Sequence, residues 1–203
     1  MSVTEGLPDL NAGPGPVAKA ASLIRTVAVI GAGEQGRVFA LRCARAGFQT
    51  VLEDVMPARL RQARQELSSL DDPAAASRVS FAMTVEDAVR EADLAIDFVP
   101  DELESKLEIF SMVDRMAPPR TILCTPTKTL SISDLASCTY RAERCVALHA
   151  TETGLAADRL ELVRGRATHA DVLQGVVQWL QAMGYEVETA EDARFEETLQ
   201  PRR

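Results

Sequence analysis

Apolar residues recur at a spacing of two in short runs and of three to four in longer ones, and the two patterns alternate along most of the chain. Val27-Ala28-Val29-Ile30 reads as a strand, and Val38, Phe39, Leu41 and Cys43 follow as the apolar side of a helix that Ala46-Gly47 ends. Gln49 to Asp54 is a second strand. Pro57 opens a helix carried by Leu60, Ala63 and Leu67 to about Leu70, where Asp71-Asp72-Pro73 stops it. Val79 to Met83 predicts a third strand, Val85 to Glu91 a short helix, and Leu94 to Val99 a fourth strand apolar enough to be buried on both faces. A helix over 101–116 puts Leu103, Leu107, Phe110 and Val113 on one side, and Pro118-Pro119 closes it. Thr121 to Cys124 is a fifth strand, Ser131 caps a short helix, and Cys145 to Leu148 is a sixth strand leading into His149. After a loop from Ala150 to Asp158, Arg159 to Val163 alternates as a further strand. Thr168 and Asp171 cap a long helix with Val172, Val176, Val177, Trp179 and Leu180 on its apolar side, and Tyr185 to Glu188 ends the ordered part. Strands alternating with helices predict an α/β, Rossmann-like, doubly wound and mostly parallel sheet in a single domain. Residues 1–24, with Gly6, Pro8, Gly13, Pro14, Gly15 and Pro16, are expected to be a flexible arm, 25–190 the domain, and 191–203 a loose charged tail.

Composition narrows the class without changing the fold. The chain has 203 residues, 46% hydrophobic and 26% charged, with no long uncharged apolar run and no basic-plus-apolar leader, so a cytoplasmic protein with no membrane span is expected. A net charge of −8 argues against a nucleic-acid surface, which needs a local excess of Lys and Arg. Cys43, Cys124, Cys138 and Cys145 form no CxxC pair, so no metal site is expected and the four are read as core or near-core thiols.

The first strand runs directly into Gly31-Ala32-Gly33-Glu34-Gln35-Gly36 and then a helix, the arrangement that cradles a pyrophosphate. Gly31 allows the tight turn, Gly33 lets the backbone approach the phosphates, and Gly36 lets the helix pack close to the strand. The N–H groups of the first turn, at Glu34, Gln35 and Gly36, face the anion with the helix dipole behind them. Asp54 stands at the end of the second strand, eighteen positions after Gly36, where a carboxylate accepts both ribose hydroxyls of an adenosine and repels a 2′-phosphate. NAD is therefore the expected cofactor, with Val99 and Pro100 at the end of the fourth strand completing its side of the site.

Only two histidines are present, and they differ in setting. His169 lies at a polar helix start and is expected to be solvated. His149 ends an apolar strand on the carboxyl edge of the sheet, where open α/β folds hold ligands. Glu161, twelve residues later, faces it if the intervening loop folds back as a hairpin. Such a pair is an acid/base couple, Glu161 fixing the imidazole tautomer while His149 exchanges a proton with a substrate oxygen. The competing reading is a structural histidine satisfied by backbone groups.

These motifs, with Asp97 to Lys106, Pro118 to Ile122, Leu130-Ser131-Ile132, Val146-Ala147-Leu148-His149 and Leu160-Glu161-Leu162-Val163-Arg164-Gly165, make the chain resemble the NAD-binding domain of 3-hydroxyacyl-CoA dehydrogenases from about Thr26 to Glu188. The resemblance implies His149 and Glu161 as the catalytic pair and NAD(H) as cofactor. The implied reaction is reversible oxidation of a 3-hydroxyacyl thioester, or a related hydroxy acid, to the oxo form. Lys106 aligns with a lysine common in that family, a candidate for contact with the cofactor or with CoA phosphates, the alternative being a surface lysine.

The chain departs from the family's pattern at several places. Its Ser-Asn-Thr-Ser-Ser run is Thr125-Pro126-Thr127-Lys128-Thr129 here, so that Lys128 stands in place of a serine that helps to hold substrate and nicotinamide. Thr127, Lys128 and Thr129 are expected at the nicotinamide end, with Lys128 either selecting an anionic substrate group or pointing into solvent. Ala150-Thr151-Glu152-Thr153 replaces Phe-Phe-Asn-Pro, and Asp192-Ala193-Arg194-Phe195 replaces the Pro-Gly-Phe turn that leads into a helical C-terminal domain. With the chain ending at Arg203 that domain is expected to be absent, leaving an open face that a homodimer or a partner protein covers. The alternative function is a non-catalytic NAD-binding or partner-binding protein of the same fold, and a third reading has no nucleotide bound at all.

Overall fold

Short β-branched runs separated by amphipathic helices form the expected sheet in a computed structural model, which describes residues 24–149 and 158–192. The elements in chain order are β1 (Thr26–Ile30), α1 (Glu34–Arg45), β2 (Gln49–Glu53), α2 (Pro57–Ser68), α3 (Pro73–Ala76), β3 (Val79–Ala82), α4 (Val85–Val89) and β4 (Leu94–Asp97). They continue with α5 (Leu103–Met116), β5 (Ile122–Thr127), α6 (Ile132–Ala136), β6 (Cys145–His149), β7 (Arg159–Arg164), α7 (Ala170–Ala182) and β8 (Glu186–Glu191). The eight strands lie in the order β3-β2-β1-β4-β5-β6-β7-β8. From β3 to β6 all pairings are parallel, because a helix crosses over between successive strands. Only nine residues separate His149 from Arg159, too few for a crossover, and β7 accordingly runs antiparallel to β6. The strand order reverses between β1 and β4, which opens a crevice at their carboxyl ends.

Two apolar layers hold the sheet. On one face Phe39 of α1 and Trp179 of α7 pack edge to face, with ring centroids 5.8 Å apart, over Val27, Val29, Leu52, Leu94, Ile96, Val146 and Leu148. On the other, α4, α5 and α6 bring Val85, Val89, Phe110, Val113, Ile132 and Leu135 onto Ala28, Ile30, Ala95, Leu123 and Ala147. All four residues of β4 are buried, as its apolar run predicts.

Several local expectations need correction. Asp71-Asp72-Pro73 does more than stop α2, since the Asp72 carboxylate accepts from the Ala75 N–H and caps the added helix α3. β5 continues past Cys124 to Thr127 despite Pro126. The pairing with β4 ends at Cys124, opposite Ile96, so the ladder partner of Pro126 lies in β6, where a proline is tolerated. Leu103 is exposed at the first turn of α5, and Lys106 is buried toward the sheet instead. Thr168 does not cap α7: its hydroxyl donates to the Cys145 carbonyl and accepts from the Gly165 N–H, and His169, exposed as expected, takes the N-cap position. Cys43, Cys124 and Cys145 are core thiols that burial pushes up, Cys145 to about 12, whereas Cys138 is exposed at the end of α6. Glu191 and Asp192 belong to the folded part: β8 runs to Glu191, and the buried Asp192 carboxylate accepts from the Ser131 hydroxyl and the Ser133 N–H. The arm before Ile24, most of the loop after His149 and the segment from Ala193 onward lie outside the described residues.

Glu53 is 3% exposed at the end of β2, and among the described residues its Oε1 has no hydrogen-bond partner. Burial, reinforced by the adjacent Asp54, pushes its carboxyl up from 4.5 to about 7. The native state therefore holds a proton that the unfolded chain has released, so this contribution is full below the unfolded value and is lost as pH rises through the folded one. Replacing Glu53 by Gln is expected to remove a decline of up to about 3 kcal/mol in stability over that interval. Urea melts at a series of pH values read it directly, and parallel pH profiles for the two proteins would refute it.

Candidate active site

The turn after β1 shows why its glycines are needed. Gly31 has φ 100°, and a Cβ there would lie 3.2 Å from the Phe98 carbonyl oxygen. At Gly36 a Cβ would fall 1.9 Å from the Gly31 carbonyl oxygen, so only glycine lets α1 start this close to the turn. Gly33 has no atom within 4 Å of where its Cβ would be, which leaves open space at the N-terminus of α1. Gly33 caps that helix without a side-chain bond, so the first-turn N–H groups are not taken up by a cap. A cleft of about 550 Å³ opens from this point, lined by Gly33, Glu34, Gln35 and Gly36 on one side and by Val99, Pro100, Lys106, Thr127 and Lys128 on the other. Its size suits a cofactor, and a donor-rich helix start beside empty space fits a pyrophosphate.

Asp54 is buried and already engaged. Its Oδ2 accepts from the Ala32 N–H at 2.9 Å and from Arg59 at 3.2 Å, and its Oδ1 accepts from the Met56 N–H at 2.8 Å. A carboxylate has about four acceptor positions, so one hydroxyl fits at once and a second requires the exposed Arg59 to swing away. Arg59, rather than Asp54, lines the cleft. Its signal in the sequence is weak: an arginine in the first turn of α2, five residues after the strand-end acid.

Lys106 is neither a surface residue nor a free cation. It is 1% exposed, and its Nζ donates to Asp97 Oδ1 at 2.7 Å and to the Pro126 carbonyl at 2.9 Å. Burial pushes the Asp97 carboxyl up and the Lys106 charge opposes that. The pair ties α5 to the ends of β4 and β5. Phe98, Asp101 and Pro126 also line the cleft and were not anticipated.

At the far end of the sheet, register does the assembling. Thr127 of β5 pairs with His149 of β6, and His149 with Glu161 of β7. Residues paired across strands point to the same face, so the three side chains form a row on the carboxyl edge. His149 Nδ1 lies 2.7 Å from Glu161 Oε2, the hairpin arrangement that the spacing implied. With the carboxylate as acceptor, Nδ1 carries the proton and Nε2 of the neutral ring carries a lone pair. Glu161 pairs in turn with Glu188, whose carboxylate is 2.6 Å from Arg159. Thr127 Oγ1 accepts from the Thr129 and Leu130 N–H groups, which leaves its own proton to donate and makes Thr129 a support for the turn.

Residues 26–193 match the family described as 3-hydroxyacyl-CoA dehydrogenase, NAD-binding domain. A probable 3-hydroxybutyryl-CoA dehydrogenase of Bacillus subtilis is 29% identical, over 79% of this chain and 60% of its own. The 5-formyl-3-hydroxy-2-methylpyridine 4-carboxylate 5-dehydrogenase of Mesorhizobium japonicum is 28% identical, over 80% of this chain and 56% of its own. Among solved structures, 3-hydroxybutyryl-CoA dehydrogenase from Escherichia coli K12 superposes with a TM-score of 0.76 at 27% identity, covering 83% of this chain and 38% of that one. The chain thus spans about 60% of the length of the curated relatives it matches.

Proposed function

Because this chain belongs to the 3-hydroxyacyl-CoA dehydrogenase family through its NAD-binding domain, we propose that it is an NAD-dependent oxidoreductase acting at the hydroxyl or oxo carbon of a 3-hydroxyacyl thioester or related hydroxy acid. The observation that carries this reading is the 2.7 Å contact between His149 Nδ1 and Glu161 Oε2 on the carboxyl edge of the sheet. NAD, when bound, supplies the hydride acceptor in oxidation and, as NADH, the donor in reduction. Gly33 and the first turn of α1 hold the phosphates, Asp54 a ribose hydroxyl, and Val99 and Pro100 form the wall toward the nicotinamide.

His149 handles the proton. In oxidation its Nε2 takes the hydroxyl proton as the hydride leaves the same carbon, and Glu161 stabilises the imidazolium that results. In reduction Nε2 returns that proton to the oxo oxygen. Thr127 is placed to donate its hydroxyl proton to a substrate oxygen. Relatives named for 3-hydroxybutyryl-CoA, for a pyridine carboxylate and for L-carnitine support a hydroxy or oxo compound as the substrate class.

The side chains of His149 and Glu161 are 38% and 44% exposed, and hydride transfer requires water to be kept out. A second copy of the chain or another polypeptide over this edge would supply the cover. Specific activity rising with protein concentration, in step with a dimer seen by light scattering, is expected; full turnover by a monomer would remove the need for a cover. The test of the function itself is NADH oxidation with short 3-oxoacyl thioesters and free 3-oxo acids. Turnover is expected with at least one of them, and NADH binding without turnover would favour a binding protein.

A further inference from the structure

The last residue of β5, Thr127, stands in the His149–Glu161 row, and the next residue, Lys128, is exposed on the wall of the cofactor cleft. It therefore sits between the two halves of the site. Its backbone is fixed from both sides: the Lys128 N–H donates to Asp101 Oδ2 at 2.9 Å, and the Thr127 hydroxyl oxygen gathers the two following N–H groups. The turn is built, and the root of the side chain with it.

The other cations around the cleft are committed. Lys106 is paired with Asp97, Arg59 with Asp54, and Arg37 with Glu66. Among the described residues, the Lys128 ammonium alone of these has no anionic partner, in a chain with 30 acidic and 22 basic side chains. Asp101 accepts from the Lys128 backbone, and Glu34 lines the cleft on α1, opposite β5.

A cation carried one residue beyond the Thr127–His149 pair disfavours the imidazolium that forms there during oxidation. A carboxylate brought by the substrate removes that repulsion and satisfies the ammonium. We propose that Lys128 is a specificity-determining residue that takes a carboxylate of the substrate, so that the site favours an oxo or hydroxy acid with a free carboxylate close to the reacting carbon. This deepens the hydride-transfer reading and rests on it for the reaction, though binding can be tested separately. A surface lysine with no ligand predicts no effect on either.

The probes are acetoacetate and its methyl ester, which share a carbon skeleton and differ in charge. In turnover, Lys128→Met is expected to lower the ratio of kcat/KM for the acid over the ester by about 10- to 100-fold, the range of a charge-assisted hydrogen bond, with Lys128→Arg recovering most of it. An unchanged ratio overturns the proposal. Binding is read by the imidazole proton signals, which are simple because the chain has two histidines and His169→Gln identifies the other. At saturating NADH, acetoacetate is expected to shift the His149 signal saturably, with a dissociation constant raised about tenfold or more by Lys128→Met. No saturable shift in the unaltered protein, or a constant that Lys128→Met leaves in place, refutes the assignment even if neither probe is turned over. A loss confined to NADH affinity would assign Lys128 to the cofactor and also overturn it. Absence of turnover with Lys128-dependent binding would instead count against the hydride-transfer reading alone.

Discussion

His149→Gln is expected to lower turnover by about 10²- to 10⁴-fold, the usual contribution of a positioned acid or base. Glutamine keeps the size and polarity of the ring but cannot shuttle a proton, so the loss belongs in kcat and not in NADH affinity. The separation is the informative part, because His149 is not among the residues lining the cofactor cleft. Glu161→Gln should cost less than His149→Gln, since the imidazole can still transfer a proton without its orienting carboxylate 2.7 Å away. Stopped-flow NADH oxidation with tryptophan-to-NADH fluorescence titrations measures both quantities. If His149→Gln retained turnover within threefold of the unaltered protein, the acid/base role would have to move to another group.

Lys106→Met is expected to destabilise the fold by about 3–5 kcal/mol, the cost of leaving one member of a buried ion pair behind. The methionine fills similar space, so little of the loss is a cavity. What remains is Asp97, fully buried, whose Oδ2 already lacks a partner among the described residues. Without the ammonium the carboxylate is held neutral only by taking a proton. Because burial already pushes that carboxyl up, the penalty should shrink as pH falls and grow as pH rises, and over a higher pH range than for an exposed carboxylate. Removing the charge as well, in Asp97→Asn with Lys106→Met, should recover a large part of the loss. Urea midpoints at two pH values, with the slope m unchanged, read the effect. A loss below about 1 kcal/mol would mean that water relaxes around the pair and that its burial counts for little. The variant also has a local consequence: it removes the bond to the Pro126 carbonyl, which leaves the end of β5 that carries Thr127 and Lys128 held by Asp101, by β6 and by the Thr127 hydroxyl.

Local chemistry made much of this molecule legible. The run into Gly31-Ala32-Gly33 states its own geometry, because a positive φ and a close helix approach exclude any side chain at Gly31 and Gly36. The alternation of apolar spacing gives strand and helix in turn, and from that follows the parallel sheet. Where the pattern failed, a longer-range partner decided. Thr168 was taken by the Cys145 carbonyl instead of a cap, Asp192 by the start of α6, and Lys106 by Asp97. Arg59 gave no signal of its own, since its position on the cleft depends on how α2 leaves the end of β2.

The amino-acid sequence by itself determined the fold class and the glycine-spaced turn after β1, and it offered His149 and Glu161 as candidates for an acid/base pair. The fold class and the turn are fixed by neighbours within a few positions, through backbone sterics and side-chain periodicity. Only the tertiary structure decided that Thr127, His149 and Glu161 stand in one row, that Asp54 already spends its oxygens on the turn, and that the Lys106 charge is buried and paired. Each of these depends on which strands lie side by side and in what register. That register is set by burying two apolar layers at once, a condition that no short stretch of the chain contains.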